Sequence, residues 1–382
     1  MATATKRVYR RRRAVAGAAA VVVLAAAATG VESALGGPKT GPGPAAIEQH
    51  YLDAVPERSL IAQRLMVSMD GTATKDLVRQ ARRGEIGGVI VFPGLGQPAD
   101  DVGKQVARLA RAAQRGGQPP LLVATDQEGG EIKRFPEGPP GPSPAELGAS
   151  GKPAAARKAG RETGRYLDGL GINVDLAPVL DVPTSDLSFM ASRAFAREAN
   201  TVGKVGVAFA RGLERGGVVP TAKHFPGLGR AVANTDLGRS EIDASKDDLD
   251  QDLIPFRDAI AAGLPMIMVG SAVYTALDPD APAALSQKVV DGLLRDQLGF
   301  EGVVISDDLQ AGAVQEAADE SEAAVDAAGA GIDVLLFAKT NDASGPAKAL
   351  RKAAKGGELD RDDLERSFKR VVELKDSLGG GR

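Results

Sequence analysis

Four apolar runs in this chain end in, or lead directly into, residues capable of chemistry. The run 121–126 (LLVATD) ends in Asp126 and continues Gln127-Glu128-Gly129-Gly130. The run 174–179 (VDLAPV) is followed by Asp181. The run 218–224 (VVPTAKH) ends in Lys223-His224 and continues Phe225-Pro226-Gly227-Leu228-Gly229. The run 302–307 (GVVISD) ends in Ser306-Asp307, with Asp308 next. Placing a carboxylate at the end of a buried strand is costly unless that end opens into a wet or charged pocket. A single Asp in such a place can simply cap the following helix. Asp126, the Lys223-His224 pair and Asp307 together describe a polar pocket with carboxylates opposite cations. Composition narrows its chemistry. The 382 residues contain no Cys, which removes disulfides, thiolate metal sites and a cysteine nucleophile. With two His, His50 and His224, a multi-histidine metal site is excluded.

The elements that must position these groups are legible as a repeat. Eight apolar runs occur, at 64–69, 87–92, 121–126, 174–179, 218–224, 266–271, 302–307 and 332–337. Runs of this length suit strands buried on both faces of a parallel sheet. Helix-like stretches at 75–83, 101–115, 154–170 and 202–215 alternate with them. The fold class this predicts is α/β, a single (β/α)8 TIM barrel over residues 55–376, with the stretch 359–378 closing its last unit. In such a barrel, chemistry sits at the C-terminal ends of the strands, where the polar residues fall. A doubly wound open sheet is the weaker alternative, because no Gly-rich dinucleotide fingerprint follows the first strand.

The N-terminal region reads differently. Residues 1–34 hold six Lys/Arg against one acid, so of the net charge of −3 the remaining chain carries −8. A body that acidic excludes nucleic acid as a partner. Lys6, Arg7 and Arg10 to Arg13 precede the uncharged, Ala/Val-rich stretch 14–30. That order predicts a signal peptide or N-terminal anchor over residues 1–34, with 14–30 as the membrane tether in the anchored form. A Gly/Pro-rich linker follows over 35–54. The expected location is extracytoplasmic, either secreted or N-terminally anchored.

The stretches DQEGGEIKRF (126–135), NVDLAPVLDV (173–182), AKHFPGLG (222–229) and LGFEGVVISDDL (298–309) together resemble glycoside hydrolase family 3, in its single-barrel β-N-acetylglucosaminidase branch. The resemblance runs from about residue 55 to 376. It implies a retaining hydrolase that removes terminal β-linked N-acetylglucosamine from cell-wall (peptidoglycan) or chitin-type saccharides. Two carboxyl groups suffice for that reaction, so no metal or organic cofactor is implied. By the same resemblance Asp307 is the nucleophile, and Asp126, Arg134, Arg193, Lys223 and His224 bind the sugar. Lys223 and His224 beside Asp307 would keep that carboxylate ionised. Asp308 is the weaker choice, because alternate strand residues point to opposite faces.

The chain also departs from the family pattern. Where the family carries an Asp-Ser-His triplet with its acid/base His, this sequence reads Asn234-Thr235-Asp236. Leu228 stands for the His of the GHG element, Glu131 for the Arg after EGG, Ser271 for a His at the end of strand six, and Ser192 for the acid before the second Arg. One reading makes Asp236 the acid/base, since a carboxylic acid is the usual group for that role. The alternative is a catalytically weakened, sugar-binding pseudoenzyme. A phosphate-binding barrel would rest on Gly-rich turns alone, which plain turn chemistry explains.

Overall fold

The computed structural model describes residues 52–379. The expected segment 1–34 and most of the linker 35–54 lie outside the described residues. Eight parallel strands form the centre: β1 (Leu65–Asp70), β2 (Gly88–Phe92), β3 (Leu122–Thr125), β4 (Val174–Asp175), β5 (Val219–Phe225), β6 (Met266–Val269), β7 (Val303–Ser306) and β8 (Leu335–Phe337). Each pairs with its sequence neighbour, and β1 pairs with β8. The ring closes between β7 and β8 through the bridge Ile305–Val334 and the bond from Ser306 N to Val334 O (3.0 Å). The sequence-derived barrel is therefore the observed fold.

The apolar runs are continuous because both faces of each strand are covered. Met66, Ile90, Leu122, Ala124, Met266, Met268, Val303 and Ile305 fill the bore as one cluster. Their neighbours Leu65, Val67, Val89, Val91, Val123, Ile267, Val269 and Val304 pack in the larger cluster that joins the sheet to its helices. Side chains alternate along a strand, so the bore-facing register runs 122, 124, 126 on β3, 219, 221, 223 on β5 and 303, 305, 307 on β7. Asp126, Lys223 and Asp307 thus lie on the register that lines the bore, each one step past its apolar filling. Asp308 lies on the other.

Two differences from the sequence reading have plain causes. The fourth run, expected over 174–179, pairs regularly only at Val174–Asp175 and then by an isolated bridge between Val179 and Lys223. Pro178 has no N–H to continue a ladder. Its carbonyl still accepts from Lys223 N at 3.1 Å. The C-terminal helix Arg361–Gly379 does more than flank the last unit. Val371 and Leu374 join the bore cluster, and the buried Lys375 donates to Gln63 Oε1 (2.6 Å) and Gly87 O (2.7 Å) at the starts of β1 and β2. The helix therefore plugs the N-terminal end of the barrel. Beside it, Asp333 accepts from Arg295, Arg370 and Ser367, and Arg64 donates to the carbonyls of Ile332 and Asp333. The end opposite the polar mouth is thus sealed.

Burial pushes the Lys375 ammonium down from 10.5 to about 7. That fall corresponds to roughly 5 kcal/mol. The cost is fully present below pH 7, where the folded chain must also carry the proton. It is relieved as pH rises from about 7 to 10.5, where the unfolded chain binds more protons than the folded one. Lys375→Met abolishes this pH term while leaving Gln63 Oε1 without its donor. Thermal melts at pH 6 and pH 9.5 should show the variant's melting temperature, relative to wild type, falling as pH rises. A pH-independent difference contradicts the assignment.

Candidate active site

The mouth is built from the loops that follow β3, β4, β5 and β7. After β3, a hairpin pairs Gln127–Gly129 with Ile132–Lys133 and turns the chain back over the site. It brings Arg134 to Asp126, Nη2 to Oδ2 at 3.2 Å, with the guanidinium 4.8 Å from the Phe92 ring centroid at the end of β2. Lys223, at 2% exposure, donates to Asp126 Oδ1 (2.8 Å) and lies 2.7 Å from Glu128 Oε1. Arg193 grips the same Glu128 with both arms, Nε to Oε2 at 2.9 Å and Nη2 to Oε1 at 2.7 Å. Five residues from two loops and a strand thus form one chain of alternating charge: Arg134, Asp126, Lys223, Glu128, Arg193.

Burial alone would raise the carboxyls of Asp126 and Glu128. Lys223, with Arg134 for the first and Arg193 for the second, outweighs it and holds both below the usual carboxylate range. Burial likewise works against charge on Lys223, but Asp126 and Glu128 win and its pKa is raised. The cluster is a fixed charged frame, desolvated in advance, suited to gripping hydroxyl groups. Glu128 was not among the expected site residues, yet it joins Lys223 to Arg193. Its signal was present in the sequence, since it sits two residues after Asp126 in the EGG turn. The structure commits the Lys223 ammonium to Asp126 and Glu128.

His224 is turned by Asp181. Its Nδ1 lies 2.7 Å from Asp181 Oδ2, while Asp181 Oδ1 accepts from the backbone N–H of His224 (3.2 Å) and Leu228 (2.6 Å). Leu228, where the family has His, gives this network only its N–H; its side chain is buried. A Cβ at Gly229 would stand 2.1 Å from Val182 O, so only Gly allows this loop to lie against the β4 loop. Two other departures meet each other: Ser192 Oγ donates to Glu131 Oε2 at 2.9 Å, a neutral–anion link between the β3 and β4 loops. Ser271 Oγ, at the end of β6, is buried with no hydrogen-bond partner.

The two carboxylates at the end of β7 have different environments. Asp308 Oδ1 accepts from the N–H groups of Gln310 (3.0 Å) and Ala338 (2.9 Å), tying β7 to the end of β8. Asp307 is half-buried, and its Oδ1 accepts from Asp308 N at 2.9 Å. Across the mouth, Asn234 Oδ1 accepts from Asp236 N (2.9 Å). Thr235 O and Asp236 O accept from Ala313 N and Gly312 N, both at 3.0 Å, which pins this loop to the turn after β7. A Cβ at Gly312 would meet the Leu237 carbonyl carbon at 2.4 Å, so the turn requires Gly there. The Asp236 residue lies on the exposed rim, yet partial burial raises its carboxyl, and the charge of Asp307 raises it further. Asp236 and Asp307 are thus electrostatic neighbours, with His224 and Arg193 acting on Asp236 in the opposite sense.

The comparisons with known proteins agree with one another. The model of the family described as "Glycosyl hydrolase family 3 N terminal domain" matches residues 58–374. A protein called an uncharacterized secreted glycosyl hydrolase, from Arthroderma benhamiae, is 36% identical over 83% of this chain and 92% of its own length. A beta-hexosaminidase of Mycobacterium tuberculosis is 32% identical over 83% of this chain and 82% of its own. Among solved structures, a family 3 beta-N-acetylglucosaminidase from Paenibacillus superposes with a TM-score of 0.82 at 30% identity. That match covers 86% of this chain and 64% of the longer one. A beta-N-acetylhexosaminidase from Beutenbergia cavernae gives 0.78 at 33% identity, covering 84% of this chain and 98% of its own.

Proposed function

Since the chain belongs to glycosyl hydrolase family 3, we propose that it is a retaining β-N-acetylglucosaminidase, with Asp307 as nucleophile and Asp236 as acid/base. The sugar is gripped by Asp126, Arg134, Arg193, Lys223 and His224. An Asp307 oxygen attacks the anomeric carbon as the glycosidic C–O bond breaks, and the leaving oxygen takes the Asp236 proton. A glycosyl ester on Asp307 results. Asp236, now a carboxylate, takes a proton from water, whose oxygen attacks the anomeric carbon and frees Asp307. The sugar leaves with its original β configuration. Lys223 and Arg193 serve the binding frame here, so neither is required as a proton donor.

The observation that carries this reading is the contrast at the end of β7. The Asp308 carboxylate is spent on the backbone of two neighbouring segments, whereas Asp307 is partly open and acts electrostatically on Asp236. A carboxyl raised by burial and by a neighbouring anion has the character of a general acid. The substrate class is supported by the named activities of the relatives from Mycobacterium and Beutenbergia. An extracytoplasmic location is supported by the secreted Arthroderma relative and by the basic-then-apolar order of residues 1–34; residues 14–30 would serve as the tether if uncleaved. Among the described residues no helix is long and apolar enough to cross a membrane. The folded unit is a single hydrolase barrel over about 55–376, following the signal and linker. The purified protein should hydrolyse nitrophenyl β-N-acetylglucosaminide, with the β-anomer of the free sugar appearing first by proton NMR. First appearance of the α-anomer would overturn the retaining mechanism.

A further inference from the structure

The mechanism leaves one buried carboxyl beside the charged frame unused. Asp175, at the end of β4, is fully buried. Its Oδ1 accepts one hydrogen bond, from the backbone N–H of Gln127 at 3.0 Å. Its Oδ2, also buried, has no hydrogen-bond partner among the described residues. Neighbouring buried carboxylates are each met by a cation or by several donors. Asp126 has Lys223 and Arg134, Glu128 has Lys223 and Arg193, and Asp181 has the His224 ring and two backbone N–H groups. A carboxylate with one neutral donor and no bonded cation is costly to bury, and such a group keeps its proton instead.

Asp175 is not placed to touch the sugar. Val174 and Leu176 belong to the bore cluster, so alternation turns Asp175 to the other side of β4. What it holds is Gln127, the residue between Asp126 and Glu128. Gln127 in turn clamps the returning arm of the hairpin. Its Nε2 donates to Phe135 O (3.0 Å) and Pro139 O (2.8 Å), and its Oε1 accepts from the Phe135 N–H (3.0 Å). Phe135 follows Arg134, whose own N–H donates to Asp126 O at 3.1 Å. Three members of the frame, Asp126, Glu128 and Arg134, thus depend on the segment that Asp175 supports from behind.

The charged groups acting on Asp175 are Lys223 from β5, and Asp126 and Glu128 from the end of β3 and its hairpin. Burial pushes the Asp175 carboxyl up to about 8; the Gln127 N–H and Lys223 work against that, and the two anions add to it. While Asp175 is neutral, two anions of the frame share the Lys223 ammonium. A charge on Asp175 adds a third anion, which pulls on Lys223 and pushes against Asp126 and Glu128. We propose that Asp175 is a positioning residue carried as the neutral acid, and that its ionisation in alkaline solution loosens the frame and weakens its grip on the sugar. This role rests on the proposed function of the frame as the sugar-binding site.

Asp175→Asn tests it, because the amide keeps an acceptor for the Gln127 N–H and cannot ionise. The affinity of the full-length protein for N-acetylglucosamine is measured by calorimetry, which needs no turnover and so leaves Asp236 out of the reading. The wild-type Kd should rise about threefold or more between roughly pH 7 and pH 9.5, and that of Asp175→Asn should stay nearly level. Stability gives a second readout. The folded chain holds the Asp175 proton from about pH 4 to about pH 8, where the unfolded chain has lost it, so wild-type stability falls over that range. The melting temperature of Asp175→Asn relative to wild type should therefore climb as pH rises through that window. If the variant does not fold, the wild type still decides. With carbon-13-labelled aspartate, one carboxyl resonance should titrate near pH 8, far above an ordinary aspartate. No aspartate titrating above about pH 7 overturns the proposal. A level wild-type Kd with turnover intact, or the same rise in Asp175→Asn, overturns it while the hydrolase reading stands. No binding at any pH and no turnover of an aryl glycoside overturns the hydrolase reading and this proposal with it.

Discussion

Asp307→Ala abolishes turnover of both an aryl β-N-acetylglucosaminide and a natural disaccharide, by about 10⁴-fold or more in kcat/KM, as expected when a covalent nucleophile is removed. The loss is independent of the leaving group, because the nucleophile forms the bond in the first step and is displaced in the second. The fold should tolerate the change: the Asp307 carboxylate accepts one bond, from the N–H of its own neighbour. Asp308→Ala should behave in the opposite way. It strips the acceptor from the N–H groups of Gln310 and Ala338 and removes one of the ties between the ends of β7 and β8. A cost of about 1–3 kcal/mol in stability follows for the orphaned groups. Its effect on turnover is secondary to that loosening. Steady-state kinetics and thermal melts on the two variants separate these outcomes. A dead Asp308 variant beside an active Asp307 variant would reverse the assignment.

Asp236→Ala is selective. A sugar alkoxide leaves only with a proton, whereas a nitrophenolate leaves without one. The variant should therefore lose roughly 10²–10⁴-fold on the disaccharide and about tenfold or less in the glycosylation step on the aryl substrate. Its deglycosylation also slows, since the same carboxylate must later take a proton from water. The pH profile carries an independent signature. A general acid must be protonated, so activity falls as pH rises through its pKa. Burial and the charge of Asp307 raise that pKa above the ordinary aspartate value, which moves the alkaline limb upward. On the aryl substrate, Asp236→Ala should lose this limb. Equal losses on both substrates, with the limb intact, would remove Asp236 from the role.

The barrel was legible because its strands are buried on both faces, which writes each one as an unbroken apolar run. The places of Asp126, Lys223 and Asp307 were legible for a related reason: alternation along β3, β5 and β7 carries the bore register on to them. Glu128 and Asp181 were harder to assign. Each acts through residues distant in sequence, Glu128 on Lys223 and Arg193, Asp181 on His224, and a one-dimensional pattern does not contain those pairings. The shortened β4 was misjudged because Val and Leu around Pro178 look strand-like, while the missing N–H of Pro breaks the ladder. The sealing role of the C-terminal helix was hidden too. Its amphipathic pattern shows that one face is buried, without saying whether that face meets the barrel's flank or its end. The altered triplet Asn234-Thr235-Asp236 was visible as a departure, while the burial and the Asp307 charge that raise the Asp236 carboxyl depend on the fold.

The most direct test uses the two carboxylates together. In Asp236→Ala, a dinitrophenyl β-N-acetylglucosaminide should form the glycosyl-enzyme readily and release it slowly, so the covalent species accumulates. Acid quenching and peptide mass spectrometry should then find one N-acetylhexosaminyl group on the peptide that contains Asp307, with fragmentation placing it on that residue. The same treatment of the Asp236→Ala/Asp307→Ala double variant should give no adduct. A sugar found on Asp308, or steady release of inverted product with no adduct at any time point, would contradict the account.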